Sequence, residues 1–201
     1  LDVAAEDVGR IVEAANAERV DLVVVGPEAP LVAGVTDELA GAGIRCFGPV
    51  EGAAALEGSK AFCKEVMVAA GVPTATHEVV TDLQSGLDAI SGYPVVIKAD
   101  GLAAGKGVVI AVDESEALVA LSALLVERRF GTERVVVEEY LEGQELSLLA
   151  LCDGVTALPL ASAQDYKRIF AGDRGPNTGG MGSYSAVPAI DEARAAELAK
   201  A

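Results

Sequence analysis

Residues 95–111 read VVIKADGLAAGKGVVIA, and their types suit one kind of chemistry. Gly101, Gly105 and Gly107 let bare backbone N–H groups approach an anion, and Lys106 adds a point charge between two of them. Lys98 ends the preceding apolar run, so a rigid element can aim a second ammonium at the same place. A phosphate is the anion that fits. The familiar phosphate loop has four residues between its glycine and Gly-Lys-Ser/Thr, and a helix follows it. Here the spacing is Gly-x-x-x-Gly-Lys-Gly, no Ser or Thr follows the lysine, and a strand follows the loop. This is a different device built on shared physics. Alone, the loop suits a phosphate clamp or a flexible hairpin tip equally, and Lys98 suits a ligand contact or a side chain snorkelling from a strand edge. The two together favour phosphate.

A second cluster lies in 164–182. Gln164-Asp165-Tyr166-Lys167-Arg168 sets two cations side by side in an acidic chain, and the glycine-rich run Gly175-Pro-Asn-Thr-Gly-Gly-Met-Gly182 follows, with Asp173 and Arg174 nearby. Such donors can hold a phosphate or a carboxylate, and their concentration favours a site over a mobile surface loop. Lys60 follows Ser59, a good N-cap, so it falls in a first helical turn where the dipole disfavours a cation. An anionic ligand would resolve that conflict, although a solvated lysine is the commoner case. Gly26-Pro27-Glu28 stands at the end of an apolar strand and reads as a substrate-facing loop or, more simply, as a strand-to-helix turn. Glu145 could accept bonds from ribose hydroxyls, but its spacing alone reads as an acidic hairpin turn. His77, the only histidine, has no partner motif and reads as a surface or packing residue.

The elements that position these residues follow from periodicity. A helix is expected over 3–18, with Val8, Ile11, Val12 and Ala15 on one face. A buried parallel strand is expected over 21–25, a helix over 31–42 and a short strand over 45–47. That alternation means an open parallel α/β sheet, whose ligands lie outside the carboxyl ends of its strands. A helix over 61–70 is stopped by Gly71 and Pro73. A new unit begins at Thr74: a strand over 77–80, a helix over 82–90, the hairpin, a helix over 113–126 with Leu118, Leu121 and Leu125 on one face, and a strand from 135 to 138. It reads as a small sandwich of antiparallel sheet and two helices, with the glycine loop at its edge. Strands over 145–151 and 155–161 follow, and a helical pattern runs from 191 to the last residue.

Composition narrows the function. The 201 residues are 51% apolar, enough for one fair-sized domain or two small ones. The formal net charge of −16 argues against nucleic acid or an acidic membrane as partner. Binding a polyphosphate then requires the few lysines and arginines to gather in one place. Cys46, Cys63 and Cys152 are odd in number and scattered, which suits a reducing cytosol and small core residues. No apolar run is long enough to span a membrane and no signal peptide is visible. The chain starts without Met, directly in a helical pattern, and stops in another, so it reads as truncated at both ends.

VGPEAPL (25–31), LEGSKAF (56–62), VIKADGLAAGKGV (96–108), VEEYLEGQELS (137–147), AQDYKR (163–168) and GPNTGGMGSYS (175–185) together resemble the ATP-grasp enzymes, and more narrowly the phosphoribosylamine–glycine ligases, also called glycinamide ribonucleotide synthetases. The lysine and glycine loop indicate only the wider superfamily; GPNTGGMG beside QDYKR is specific. The resemblance implies a mixed α/β and α+β fold: an ATP-grasp domain over 58–201, with a lid subdomain at 74–137, after the remainder of an open parallel, Rossmann-like domain over 1–57. It implies that ATP phosphorylates the carboxylate of glycine and that 5-phosphoribosylamine displaces the phosphate, giving an amide, ADP and phosphate in the second step of purine synthesis. No catalytic side-chain nucleophile is needed.

By the same resemblance, Lys60 and Lys98 contact ATP phosphates, and Gly101, Gly105, Lys106 and Gly107 belong to the loop that closes over them. Glu138, Glu139 and Leu141 frame the adenine, the last two mostly through backbone, and Glu145 holds the ribose. Asp165, Lys167, Arg168, Asn177, Thr178 and Gly179 lie near glycine and phosphoribosylamine, with Pro27 and Glu28 facing the amine substrate. The Mg2+ or Mn2+ ligands are expected beyond Ala201, and the family's glycine-rich opening strand is not found after Leu1. Tyr166 stands where some relatives have His. The resemblance implies a cytoplasmic monomer that acts on small molecules, with the isolated chain at most binding nucleotide weakly. Another ATP-grasp carboxylate–amine ligase and a non-catalytic nucleotide-binding fragment are the alternatives.

Overall fold

The computed structural model describes residues 2–103, 106–172, 174–178, 180–188, 190 and 192–198, excepting the side chains of 176, 177, 192 and 196. The chain divides into two compact units, residues 1–103 with 107–140 and residues 104–106 with 141–201.

In the first unit, α1 (Val8–Ala17) is capped by Asp7, whose carboxylate accepts from the Arg10 amide at 3.1 Å. Then come β1 (Val23–Val24), α2 (Glu28–Val32), α3 (Val35–Gly41) and β2 (Cys46–Phe47). β1 and β2 pair in parallel, Val23 opposite Cys46, as the alternation of elements requires. Two details differ from expectation. The single helix over 31–42 is two, because Gly34 takes φ +84° between them, a conformation that suits glycine. The strand expected to be fully buried is buried on one face only. Val23 and Val25 pack with Val8, Ile11, Val12, Val35 and Leu39, while Val24 on the other face is 65% exposed. Helices cover one side of this two-stranded sheet.

α4 (Glu51–Gly58) was not anticipated, since its glycines and alanines carry little apolar period. It leads directly into α5 (Lys60–Ala70). Ser59 caps α5 as expected, accepting from the Phe62 amide at 3.1 Å, and Gly71 ends it at φ +70°.

The sheet follows: β3 (His77–Val80), α6 (Leu83–Asp88), β4 (Val95–Ala99), β5 (Val108–Ala111), α7 (Glu114–Leu121) continued by a π turn over Ser122–Val126, and β6 (Val135–Glu139). Its order is β3-β6-β4-β5, antiparallel throughout. Burial alternates along β4, so Val95, Ile97 and Ala99 face the core with Val135 and Val137. α6 and α7 cover that face. The buried stripe of α7 is Ala117, Ala120, Leu121 and Leu124, rather than Leu118, Leu121 and Leu125. Two alanines let the helix lie close to the strands, which turns Leu118 outward and leaves Leu125 at the margin. The opposite face of the sheet carries Lys98 and Glu138, and α5 packs against β6 there.

The second unit contains β7 (Ala150–Cys152), β8 (Ala157–Pro159), β9 (Ala163–Asp165), β10 (Arg168–Phe170), β11 (Arg174–Asn177), β12 (Ser183–Ser185) and α8 (Glu192–Leu198). These strands pair antiparallel as β7–β8, β9–β12 and β10–β11. The expected strands over 145–151 and 155–161 are shorter. Ser147 makes only an isolated bridge to Ala163, and Asp153 pins the β7–β8 turn by accepting from the Val155 and Thr156 amides at 2.9 and 2.7 Å. The glycine-rich run, read as a loop, begins as strand β11. Gly175 permits this: a Cβ there would stand 2.5 Å from the Phe170 ring.

Leu121 is fully buried and Leu118 is 43% exposed. Leu121→Ala is expected to lower unfolding free energy by about 2–5 kcal/mol and Leu118→Ala by under about 0.5 kcal/mol, measured by urea denaturation.

Candidate nucleotide and substrate sites

β6 places a carboxylate where sheet strands rarely carry one. Glu138 is 4% exposed, the last buried residue of Val135–Glu139. Register sets Val96 opposite Glu138 and Val136 opposite Lys98, so the two charged side chains share a face. Lys98 Nζ donates to Glu138 Oε2 at 2.8 Å. Lys64, from α5, reaches the same oxygen at 3.3 Å and also donates to Thr74 Oγ1 at 2.6 Å and to the Ala75 carbonyl at 3.5 Å. Among the described residues, Glu138 Oε1 is buried without a hydrogen-bond partner. A buried carboxylate keeps its charge only when paired. Here one oxygen takes both cations and the other awaits a donor. Lys64 was missed by sequence reasoning, although it stands one turn after Lys60 on the same helical face.

Lys60 does not point freely into solvent. Its Nζ donates to the Gly101 carbonyl at 2.7 Å, tying the glycine segment to the start of α5. Burial pulls the Lys60 ammonium below the usual lysine value, opposed by Asp100 and Glu57 and assisted by nearby Lys98. Asp100, also missed, is the anchor of this corner. Its carboxylate accepts from Ser59 Oγ at 3.0 Å, the Ala61 amide at 3.2 Å and Arg134 at 2.7 Å. Arg134 also donates to Ser59 Oγ at 3.3 Å. Burial alone would raise the Asp100 carboxyl, but these donors and the guanidinium hold it below the ordinary aspartate range. Gly101 requires glycine through its φ of +102°. Gly107 requires it sterically, since a Cβ would stand 2.7 Å from Ala103 Cβ. Lys106 is exposed, and Gly105 lies outside the described residues.

At the far end of β6, a cavity of about 440 Å³ is lined by Thr76, His77, Tyr93, Glu138, Glu139 and Tyr140, among others. Glu139 is committed to structure: its amide donates to the Thr76 carbonyl at 3.0 Å and its carboxylate accepts from the Thr76 amide at 2.8 Å. That bond holds its carboxyl below the usual range. The single histidine, half-buried, sets Nδ1 3.2 Å from the Ala75 carbonyl.

In the second unit Lys167 joins two residues expected at different ligands. Its Nζ lies 3.6 Å from Glu145 and 3.7 Å from Asp165. Thr178 is brought to the same place, its amide donating to the Lys167 carbonyl at 2.7 Å and its hydroxyl at 2.8 Å. β10–β11 pairing sets Arg168 opposite Asn177, whose side chain is not described. Tyr166 stacks on Tyr184 with ring centres 6.1 Å apart. Leu141 is exposed, and Gly179 lies outside the described residues. In the first unit, Pro27 caps α2 and Glu28 begins it, both exposed just after β1.

Family models decide the relationship. "Phosphoribosylglycinamide synthetase, N domain" matches residues 1–57, and "Phosphoribosylglycinamide synthetase, ATP-grasp (A) domain" matches 58–201. The chain belongs to the phosphoribosylglycinamide synthetase family. A phosphoribosylamine–glycine ligase of Allochromatium vinosum is 52% identical over 192 residues, covering 94% of this chain and 45% of the relative. The chain thus spans about half the length of the curated relatives it matches. A crystal structure of phosphoribosylamine–glycine ligase from Thermotoga maritima matches with a TM-score of 0.76 and 36% identity, covering 93% of this chain and 48% of that one. A biotin carboxylase domain from Hydrogenobacter thermophilus, solved with MgADP, ADP and bicarbonate, matches with a TM-score of 0.67 and 26% identity, over 81% and 38%. The synthetase family accounts for the mixed architecture: parallel α/β first, antiparallel sheet and helices after it.

Among the described residues no group of three or more His, Cys, Asp or Glu side chains could hold a metal ion, and no helix is long and apolar enough to cross a membrane.

Glu138→Ala leaves Lys64 buried without its carboxylate and is expected to cost about 3–5 kcal/mol of unfolding free energy in urea. Asp100 gives a pH signature. Its folded pKa is depressed, so its contribution is complete above the unfolded value near 3.8 and is lost as pH falls below it. Asp100→Asn should therefore flatten the loss of stability measured between about pH 4 and pH 2.

Proposed function

We propose that this chain is the nucleotide-binding part of a phosphoribosylamine–glycine ligase. The observation that carries the reading is Glu138 Oε1, a buried acceptor without a donor on a sheet face that also presents Lys98. The exocyclic amine of adenine is a donor of the right kind, and Lys98, with its side chain 28% exposed, can leave Oε2 for a phosphate oxygen. The burial of Lys60 supports the same reading, because a phosphate offsets the desolvation of its ammonium. Gly101, Gly105, Lys106 and Gly107 close over the phosphates. Leu141 and the carbonyl side of Glu139 frame the base, the amide of Glu139 being committed to Thr76. The MgADP-bound neighbour supports ATP as co-substrate.

In the second unit the substrate contacts fall to Glu145, Asp165, Lys167, Arg168, Asn177, Thr178 and Gly179, a reading supported by the approach of Lys167 to Glu145 and Asp165. Glu145 takes the ribose hydroxyls and the others hold glycine and phosphoribosylamine, with Pro27 and Glu28 on the amine substrate. A glycine carboxylate oxygen bonds to the γ-phosphorus as ADP leaves. The amine of phosphoribosylamine then bonds to the acyl carbon as phosphate leaves, and its proton is lost. Both steps need positioning and charge neutralisation rather than a protein nucleophile. Mg2+ or Mn2+, held by residues outside this chain, would neutralise the polyphosphate. In this reading residues 1–57 finish a substrate domain, 58–201 begin the ATP-grasp domain, and 74–137 form its lid. The protein works as a cytoplasmic monomer on small molecules, away from nucleic acid and membranes; the net charge of −16 supports that.

The test is ADP formation by the protein containing this chain, with magnesium, ATP, glycine and fresh phosphoribosylamine each omitted in turn. Turnover is expected only with all four. Turnover with a different carboxylate in place of glycine would assign another ligase, and ATP binding without any turnover would assign a non-catalytic module. Lys98→Met is expected to cut kcat/KM for ATP by about a hundredfold.

A further inference from the structure

Lys98 and Lys64 share one carboxylate oxygen but differ in access. The Lys98 side chain is 28% exposed and, among the described residues, pairs with Glu138 alone. The Lys64 side chain is 10% exposed; its ammonium donates to Thr74 Oγ1 and the Ala75 carbonyl and pairs with the Glu138 carboxylate at 3.3 Å. The first lysine can change partners; the second has nowhere else to go. Lys64 also joins three pieces of the unit, since α5 carries it, β6 carries Glu138, and residues 74–75 lead into β3.

We infer that Lys64 is a positioning residue: it holds the Glu138 carboxylate paired and oriented, so that Lys98 can leave for a phosphate while Oε1 stays aimed at the base. The inference rests on the nucleotide reading above. Without Lys64, the moment Lys98 turned to a phosphate would leave Glu138 buried with no counter-ion, and nothing would hold the aim of its carboxylate. An Oε1 turned away from the base would no longer favour an amine there. Lys64 touches no ligand in this scheme. It sets which purine the site accepts by fixing the aim of its neighbour.

The test compares binding of ATP with ITP, which carries a carbonyl where adenine carries its amine, by calorimetry on the full chain. The wild type is expected to prefer ATP by about tenfold, the value of one hydrogen bond to a charged group. Lys64→Met should reduce that ratio to about twofold or less, and Lys64→Arg, which keeps the charge, should restore most of it. Thr74→Val removes the 2.6 Å acceptor with little change in volume and should give an intermediate ratio if Lys64→Met does not fold. A merely structural lysine would weaken ATP and ITP equally, so an unchanged ratio in Lys64→Met, or in Thr74→Val where that is the folded variant, overturns the inference. A wild type that binds both nucleotides alike overturns the nucleotide reading itself, and the inference with it.

Discussion

A carboxylate enclosed in the middle of a sheet has to be compensated, and much of the first unit is arranged around that requirement. Glu138 continues a run of three fully or nearly buried valines, so its charge enters a region that apolar packing has already dried. Two ammonium groups answer it, one from the neighbouring strand and one from a helix. The helix has to lie against β6 for Lys64 to reach, and residues 74–75 have to pass close enough to share that ammonium. The sheet's other face is ordinary by comparison, a hydrocarbon layer under α6 and α7. One strand thus serves two solvents: the odd-numbered valines hold the fold, and Val136 and Glu138 look toward the polar side.

The glycine segment is held at both ends. Lys60 grips the Gly101 carbonyl, and the Ala99 amide donates to the Gly107 carbonyl at 2.7 Å. Gly107 also lies so close to Ala99 and Ala103 that no side chain fits. The pairing of Asp100 with Arg134 and Ser59 extends this anchoring to the start of β6.

Period and punctuation carried most of the architecture. Gly71, Ser59 and the two Val/Ile runs each mark a boundary that the structure keeps. What periodicity cannot express was lost. Ala117 and Ala120 form the buried stripe of α7 because small residues permit close approach, whereas a sequence pattern weights the leucines beside them. α4 has almost no amphipathic signal. In the site, Lys60, Lys98 and Glu138 were legible through their motifs. Lys64, Asp100 and Arg134 were not, because Lys64 meets Glu138 74 residues away and Arg134 meets Asp100 and Ser59 34 and 75 residues away, and no local pattern encodes such contacts. For instance, Ser59 bonds Asp100 at a separation of 41 residues.

Ser59 does more than cap α5. A hydroxyl has one proton and two lone pairs. Here the proton goes to Asp100, and the lone pairs receive the Phe62 amide and Arg134. Helix-capping positions ordinarily tolerate exchange among serine, threonine, aspartate and asparagine. At 59 that freedom narrows to the two hydroxyls, serine and threonine. Aspartate would cap the helix but set a second negative charge against Asp100, and asparagine would have to divide one amide between tasks of opposite polarity. Beyond that exchange, variation in this corner should therefore be concerted, with positions 59, 100 and 134 changing as a set or not at all.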